Sequence, residues 1–159
     1  MNRRTFLQGT LAIALMSRGL TAIASGVQEA NFEITRTEAE WRALLTDFEY
    51  AVLREEATER AYTSPLNDEK REGLFHCKGC DLALYDSKTK FDSGTGWPSF
   101  YDSLPNAVAT KEDRSWFITR TEVHCRRCGS HMGHIFEDGP APTGLRHCIN
   151  GIALTFYEN

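Results

Sequence analysis

Apolar positions near the start of the mature chain recur at helical spacing. Trp41, Leu44, Leu45, Phe48 and Val52 are expected to form one stripe that packs inward. Two capping-box patterns divide this region into two short helices. "TEAEWRALL" pairs Thr37 with Glu40 and "TDFEYAVLREE" pairs Thr46 with Glu49. From Gly73 onward the pattern changes to strands and turns. "SWFITRTEVHC" is rich in β-branched and aromatic residues, and "IALTFYEN" sets Ile152, Leu154 and Phe156 on one face. "GTGWPSF", "PNA" and "DGPAPTG" punctuate the strands with Gly, Pro and Asn. No run alternates strands with long helices, so the pattern predicts a mainly β (α+β) fold, an antiparallel core with helices at its N-terminal end.

Residues 1–24 read as an export signal rather than as part of the fold. Arg3 and Arg4 stand side by side, "TLAIALM" supplies an apolar stretch, and "AIAS" gives a small-x-small cleavage pattern around Ala22 and Ala24. The apolar run is short for a bilayer span, and the double arginine favours the twin-arginine route over a Sec signal or an anchor. That route carries folded proteins, which suits a chain that loads a metal in the cytoplasm. The expectation is a periplasmic protein with one domain over residues 25–159 and no stable membrane insertion after cleavage.

Removing the signal takes three of the 18 basic residues and none of the 22 acidic ones, leaving a mature charge of about −7 before the termini. So acidic a surface repels phosphate backbones, which excludes nucleic acid as an expected partner.

Four of the five cysteines form two C-x2-C pairs, Cys77 with Cys80 and Cys125 with Cys128. Each pair lets two sulfurs converge on one ion from a tight turn, and two such turns complete a tetrahedron. One structural Zn2+ is the expected cofactor. Disulfides in an oxidising compartment, a thioredoxin-type redox pair, or replacement of one sulfur by His131 or His134 are the alternatives. A zinc held by four cysteines has no open position for substrate, so the chemistry must lie elsewhere.

Cys148 is left over. In a strand, Arg146, Cys148 and Asn150 share one face, and a guanidinium and an amide beside a sulfur favour the thiolate. The competing reading is a buried inert side chain. His131, His134 and Asp138 lie just upstream, with the carboxylate close enough in sequence to orient a histidine that serves as proton donor. Trp97, between Gly96 and Pro98, reads either as packing or as the wall of a small apolar pocket.

The stretches "EEATER", "FHCKGCDLALYDSKTKFDSGTGWPSFYD", "HCRRCGSHMGHIFEDGPAPTGLRHCIN" and "IALTFY" resemble the methionine sulfoxide reductase B family, the peptide-methionine (R)-S-oxide reductases, over most of the mature chain. The resemblance implies two antiparallel sheets forming a barrel-like core braced by zinc. It implies Cys148 as catalytic cysteine and His134 as the histidine that assists protonation of the sulfoxide oxygen. His131, Asp138, Arg146 and Asn150 fall at the other polar active-site positions, Trp97 at the methyl-binding tryptophan, and Cys77, Cys80, Cys125 and Cys128 at the zinc ligands. Two positions depart from the family pattern. His147 stands where tyrosine or phenylalanine is common, and Thr95 stands where many members carry the resolving cysteine.

The expected activity is repair of oxidised proteins and peptides, through attack of Cys148 on the sulfoxide sulfur and a sulfenic acid on Cys148. An external thiol, thioredoxin-like or small, regenerates it, and a monomer is expected. The rivals are a zinc-binding interaction module without catalysis and a thiol–disulfide oxidoreductase.

Overall fold

A computed structural model describes residues 32–115 and 118–159. The expected signal peptide, residues 1–24, lies outside them. Both helices begin where the capping boxes place them. Helix α1 spans Glu38–Leu44 and α2 spans Asp47–Glu55, and in each the threonine and the glutamate cap one another's backbone. The single inward stripe does not survive. Trp41, Leu45 and Val52 are buried, but Leu44 is 52% and Phe48 48% exposed. The chain leaves the helix at Leu45 and restarts at Thr46, which resets the helical phase. Tyr50 and Leu53 fill the core in their place.

Among the described residues the remainder is built on nine strands in two antiparallel sheets, as expected. Strands β1 (Gly73–Cys77), β2 (Ala83–Asp86) and β9 (Leu154–Glu158) form a three-stranded sheet in the order β2-β1-β9. Strands β3 (Lys90–Phe91), β4 (Ser99–Phe100), β5 (Val108–Asp113), β6 (Arg120–Cys125), β7 (His131–Phe136) and β8 (Arg146–Ile149) form a six-stranded sheet in the order β3-β4-β8-β7-β6-β5. Within the stretch "SWFITRTEVHC", Arg120–Cys125 is strand and Ser115, Ile118 and Thr119 are not, while Trp116 and Phe117 lie outside the described residues. Ile152 sits in the 3-10 turn Gly151–Ala153 ahead of β9, so its alternation with Leu154 begins in a turn.

Aromatic packing joins the two sheets. Tyr85 of β2 stacks on Phe100 of β4 at 4.3 Å between ring centroids, and Phe75 of β1 meets Phe100 edge-on at 5.0 Å. All three rings are fully buried, and burying each removes on the order of 2–3 kcal/mol of unfavourable exposure.

Candidate active site and metal centre

The two C-x2-C pairs occupy two turns. Cys77 ends β1 before its turn to β2, and Cys125 ends β6 before its turn to β7. Asp81 and Gly129 complete these turns in the left-handed region, with φ of 61° and 69°, and their N–H groups reach back to the carbonyls of Cys77 and Cys125. The four sulfurs lie within 4.8 Å of one another, with Cys77 to Cys128 at 3.7 Å and Cys80 to Cys125 at 3.5 Å. A disulfide needs about 2.05 Å. Sulfurs about 2.3 Å from a tetrahedral ion stand about 3.8 Å apart, so the donor set fits a metal. Such an ion ties the β1–β2 turn of one sheet to the β6–β7 turn of the other. The histidines are not needed as ligands: both are held by carboxylates.

Cys148 lies on β8, between β4 and β7. Its cross-strand partners are Ser99 and His134. Gly133, with φ of 156°, is what lets β7 come this close. A β-carbon there would sit 2.0 Å from the Cys148 carbonyl oxygen. Cys148, His134, Trp97, Phe136, Asn150 and Arg120 line a pocket of about 140 Å³. Trp97 and Phe136 supply the apolar wall of this pocket, and Cys148, His134 and Asn150 its polar side. A second cavity of about 560 Å³, lined by Tyr62, Lys88 and Phe91 among others, shares Trp97 as a wall with this pocket.

The electrostatics differ from the sequence expectation. Burial pushes the Cys148 thiol upward, and the Arg146 charge and the Thr95 hydroxyl pull against it without winning. Burial likewise depresses His134 below its ordinary value, against the opposing pull of Asp113. The resting pair is therefore a thiol and a neutral imidazole. Asn150 does not offer its whole amide to the sulfur. Its Oδ1 accepts from the Glu59 backbone N–H at 2.9 Å and its Nδ2 donates to the Met132 carbonyl at 3.1 Å. One Nδ2 hydrogen remains for a ligand.

Asp138 does not orient a histidine. Its two oxygens take Nε and Nη2 of Arg146 at 2.8 and 2.9 Å, a bidentate clamp that also places the guanidinium 4.4 Å from the Phe136 ring. Position in the β7–β8 loop puts Asp138 opposite Arg146 instead of beside His134. The carboxylates that hold the histidines are ones the sequence reading missed. Asp113 accepts from His134 Nε2 at 2.8 Å, and Glu122 contacts His131 Nδ1 at 2.7 Å. Glu122 is 2% exposed, yet its carboxyl is brought down to about 2: hydrogen bonds from His124 and His131 outweigh the cost of burial.

Glu59, also missed, joins three parts of the site. Its carbonyl accepts from Trp97 Nε1 at 3.0 Å, its N–H meets Asn150, and its carboxylate takes the N–H groups of Gly151 and Ile152. The "EEATER" stretch that carries Glu59 was the available signal. His147 faces away from Cys148. It is 5% exposed, its Nδ1 lies 3.2 Å from the Tyr85 hydroxyl, and burial holds it neutral. Strand alternation makes it a core residue.

Comparison with known proteins follows the same outline. The sequence pattern of the SelR domain matches residues 45–158. A protein of Methanosarcina barkeri described as "Peptide methionine sulfoxide reductase MsrB" is 52% identical over 124 residues, which cover 77% of this chain and 87% of that protein. One of the same description from Pseudomonas putida is 52% identical over 125 residues, covering 78% and 94%. Another, from Alteromonas mediterranea, is 51% identical over 120 residues, covering 75% and 84%.

Proposed function

The chain belongs to the SelR-domain family of MsrB methionine sulfoxide reductases, and on that premise we propose that it reduces methionine-R-sulfoxide in oxidised proteins and peptides through Cys148. The observation that carries the reading is the pairing of Cys148 with His134 across β7 and β8, in a pocket walled by Trp97 and Phe136. A methylsulfinyl group with its methyl against Trp97 presents its sulfur to Cys148 and its oxygen to His134. Holding the reacting atoms at contact replaces a bimolecular encounter and fixes which epimer can react. The cavity on which Trp97 also borders gives the residues flanking the oxidised methionine a place to lie, which favours peptides over the free amino acid.

Thiolate forms only as its proton leaves for the histidine, because burial favours both neutral forms at rest. Cys148 then attacks the sulfoxide sulfur to form a transient S–S bond. The oxygen is protonated and passes to the Cys148 sulfur as the S–S and methionine S–O bonds break, and methionine departs, leaving Cys148 as a sulfenic acid. Thr95 has no sulfur, and the other four cysteines are grouped as a metal centre, so regeneration falls to an external thiol, small or thioredoxin-like. Zinc is the ion proposed for that centre. When bound it supplies fold stability alone, because four thiolates close its coordination. Arg36, Arg54 and Arg127 each donate to a carbonyl of these turns and offset the negative charge of the thiolates. Export through the twin-arginine signal to the periplasm, and action there as a monomer, complete the proposal.

The test uses peptides carrying each sulfoxide epimer separately. Consumption of the R epimer alone supports the reading, and consumption of the S epimer alone sinks it.

A further inference from the structure

The histidine facing Cys148 is part of a longer chain of charge that runs from β7 through β5 to β6. Asp113 Oδ2 accepts from His134 Nε2 at 2.8 Å and from Arg120 Nη2 at 2.6 Å, while its Oδ1 accepts from the Ser115 backbone N–H at 2.8 Å. Hydrogen bonds from Ser115 and His134, with that from Arg120, hold the Asp113 carboxyl well below the usual range. An ionised carboxylate can only accept. His134 therefore keeps its hydrogen on Nε2 whatever its charge, and Nδ1 is the nitrogen that gains and loses a proton. No described residue hydrogen-bonds to that nitrogen.

His131 cannot take this role. It is 3% exposed, its Nδ1 is engaged by Glu122, and its Nε2 is buried without a partner among the described residues. Arg120 lines the pocket beside His134 and Cys148, and its guanidinium takes Ser115 Oγ at 3.0 Å as well as Asp113. A cation on the same oxygen that receives His134 keeps Asp113 from capturing the histidine's proton.

We propose that Asp113, held by Arg120, is the positioning carboxylate of the proposed reduction: it fixes the His134 tautomer so that Nδ1 takes the proton from the Cys148 thiol and delivers it to the sulfoxide oxygen. The inference rests on the reading of the protein as a methionine sulfoxide reductase. Its atoms balance without an outside proton. The Cys148 S–H bond breaks, the S–S bond made on attack forms and breaks again, the methionine S–O bond breaks, and Cys148 S–O and O–H bonds form. The cysteine sulfur is oxidised, the methionine sulfur is reduced, and the thiol's proton ends on the transferred oxygen. His134, Asp113 and Arg120 finish as they began. During the transfer His134 is briefly an imidazolium, and the Asp113 charge stabilises that state.

The charges facing His134 come from every neighbouring element: Asp113 on β5, Arg120 and Glu122 on β6, His131 on its own strand and Cys148 on β8. Asp113 raises the His134 pKa, whereas Arg120 and His131 lower it. The mechanism needs His134 neutral at rest, so activity falls in acid as His134 becomes protonated. Removing the Asp113 charge moves that acid limb to lower pH. Removing the Arg120 charge moves it to higher pH. Two variants of one ion pair thus shift the profile in opposite directions, which loss of structure cannot imitate.

The experiment measures single-turnover reduction of an R-sulfoxide peptide across pH by the wild type, Asp113→Asn, Asp113→Glu and Arg120→Met. Asp113→Asn is expected to slow the step by roughly 10²-fold with little change in KM, and Asp113→Glu to recover part of the rate. The acid limb should move down for Asp113→Asn and up for Arg120→Met. An active wild type whose acid limb stays fixed in both charge variants overturns this inference and leaves the proposed function standing. A wild type that leaves the R-sulfoxide peptide unreduced removes the proposed function and this inference with it.

Discussion

Replacing Glu59 by Ala tests whether the turn behind the active site hangs on one buried carboxylate. Glu59 is 5% exposed, and its two oxygens receive the N–H groups of Gly151 and Ile152, the first two residues after Asn150. Without the carboxylate both N–H groups lose their acceptor. A buried unsatisfied donor costs about 1–3 kcal/mol. Gly151 is buried and should incur that in full, while half-buried Ile152 can reach water and incurs less. Relief of the carboxylate's own burial, which raises the Glu59 pKa, offsets part of the loss. The expected destabilisation is about 2–4 kcal/mol, a drop in urea midpoint of about 1–2 M at an m-value near 2 kcal/mol/M. Glu59→Gln keeps the shape and one acceptor oxygen and should lose about half as much. Because Asn150 opens this turn and Trp97 is tied to the Glu59 carbonyl, KM for a sulfoxide peptide should rise alongside. An alanine variant within about 0.5 kcal/mol of wild type, the range of an ordinary surface substitution, would refute the reasoning.

Cys125→Ser should lose its bound metal and most of its thermal stability together, since binding energy at a structural zinc is folding energy of about 10 kcal/mol in small zinc peptides. Metal analysis and melting with and without chelator check this, and wild-type stability after chelation would contradict it. His134 and His147 both have depressed folded-state pKa values, so each contributes stability that is present above the unfolded value near 6.5 and is lost as pH falls below it. The loss approaches about 1.4 kcal/mol per pH unit for each histidine. His147→Phe should therefore flatten the decline between neutral and mildly acid pH in urea titrations. It should leave turnover unchanged, because His147 faces the core.

What the sequence made legible was chemistry with a local signature. The C-x2-C spacing placed four sulfurs around a point, and strand alternation put Arg146 and Cys148 on one face. The capping boxes at Thr37 and Thr46 located both helix starts to the residue. What it hid depended on register between distant segments. Asp113 meets His134 across 21 residues and Glu59 meets Asn150 across 91. Neither spacing means anything until the strands are paired. Closeness in sequence pointed the wrong way for Asp138, which the β7–β8 loop delivers to Arg146. It also misled for Leu44 and Phe48, where a helix break interrupts the period. The Cys148 environment was misjudged for a different reason. Its polar neighbours were visible in the sequence, but the burial that outweighs them was not.

The central claim is that Cys148 alone accepts the sulfoxide oxygen and has no internal thiol to resolve it. The most direct measurement is a reaction of the purified protein with an R-sulfoxide peptide in the absence of reductant, read by methionine yield and intact mass. The expected result is one methionine per chain and a protein heavier by one oxygen atom, located on Cys148, with turnover resuming when a small thiol is added. Methionine formed by Cys148→Ser, or a disulfide joining Cys148 to one of the four metal-site cysteines, would contradict it.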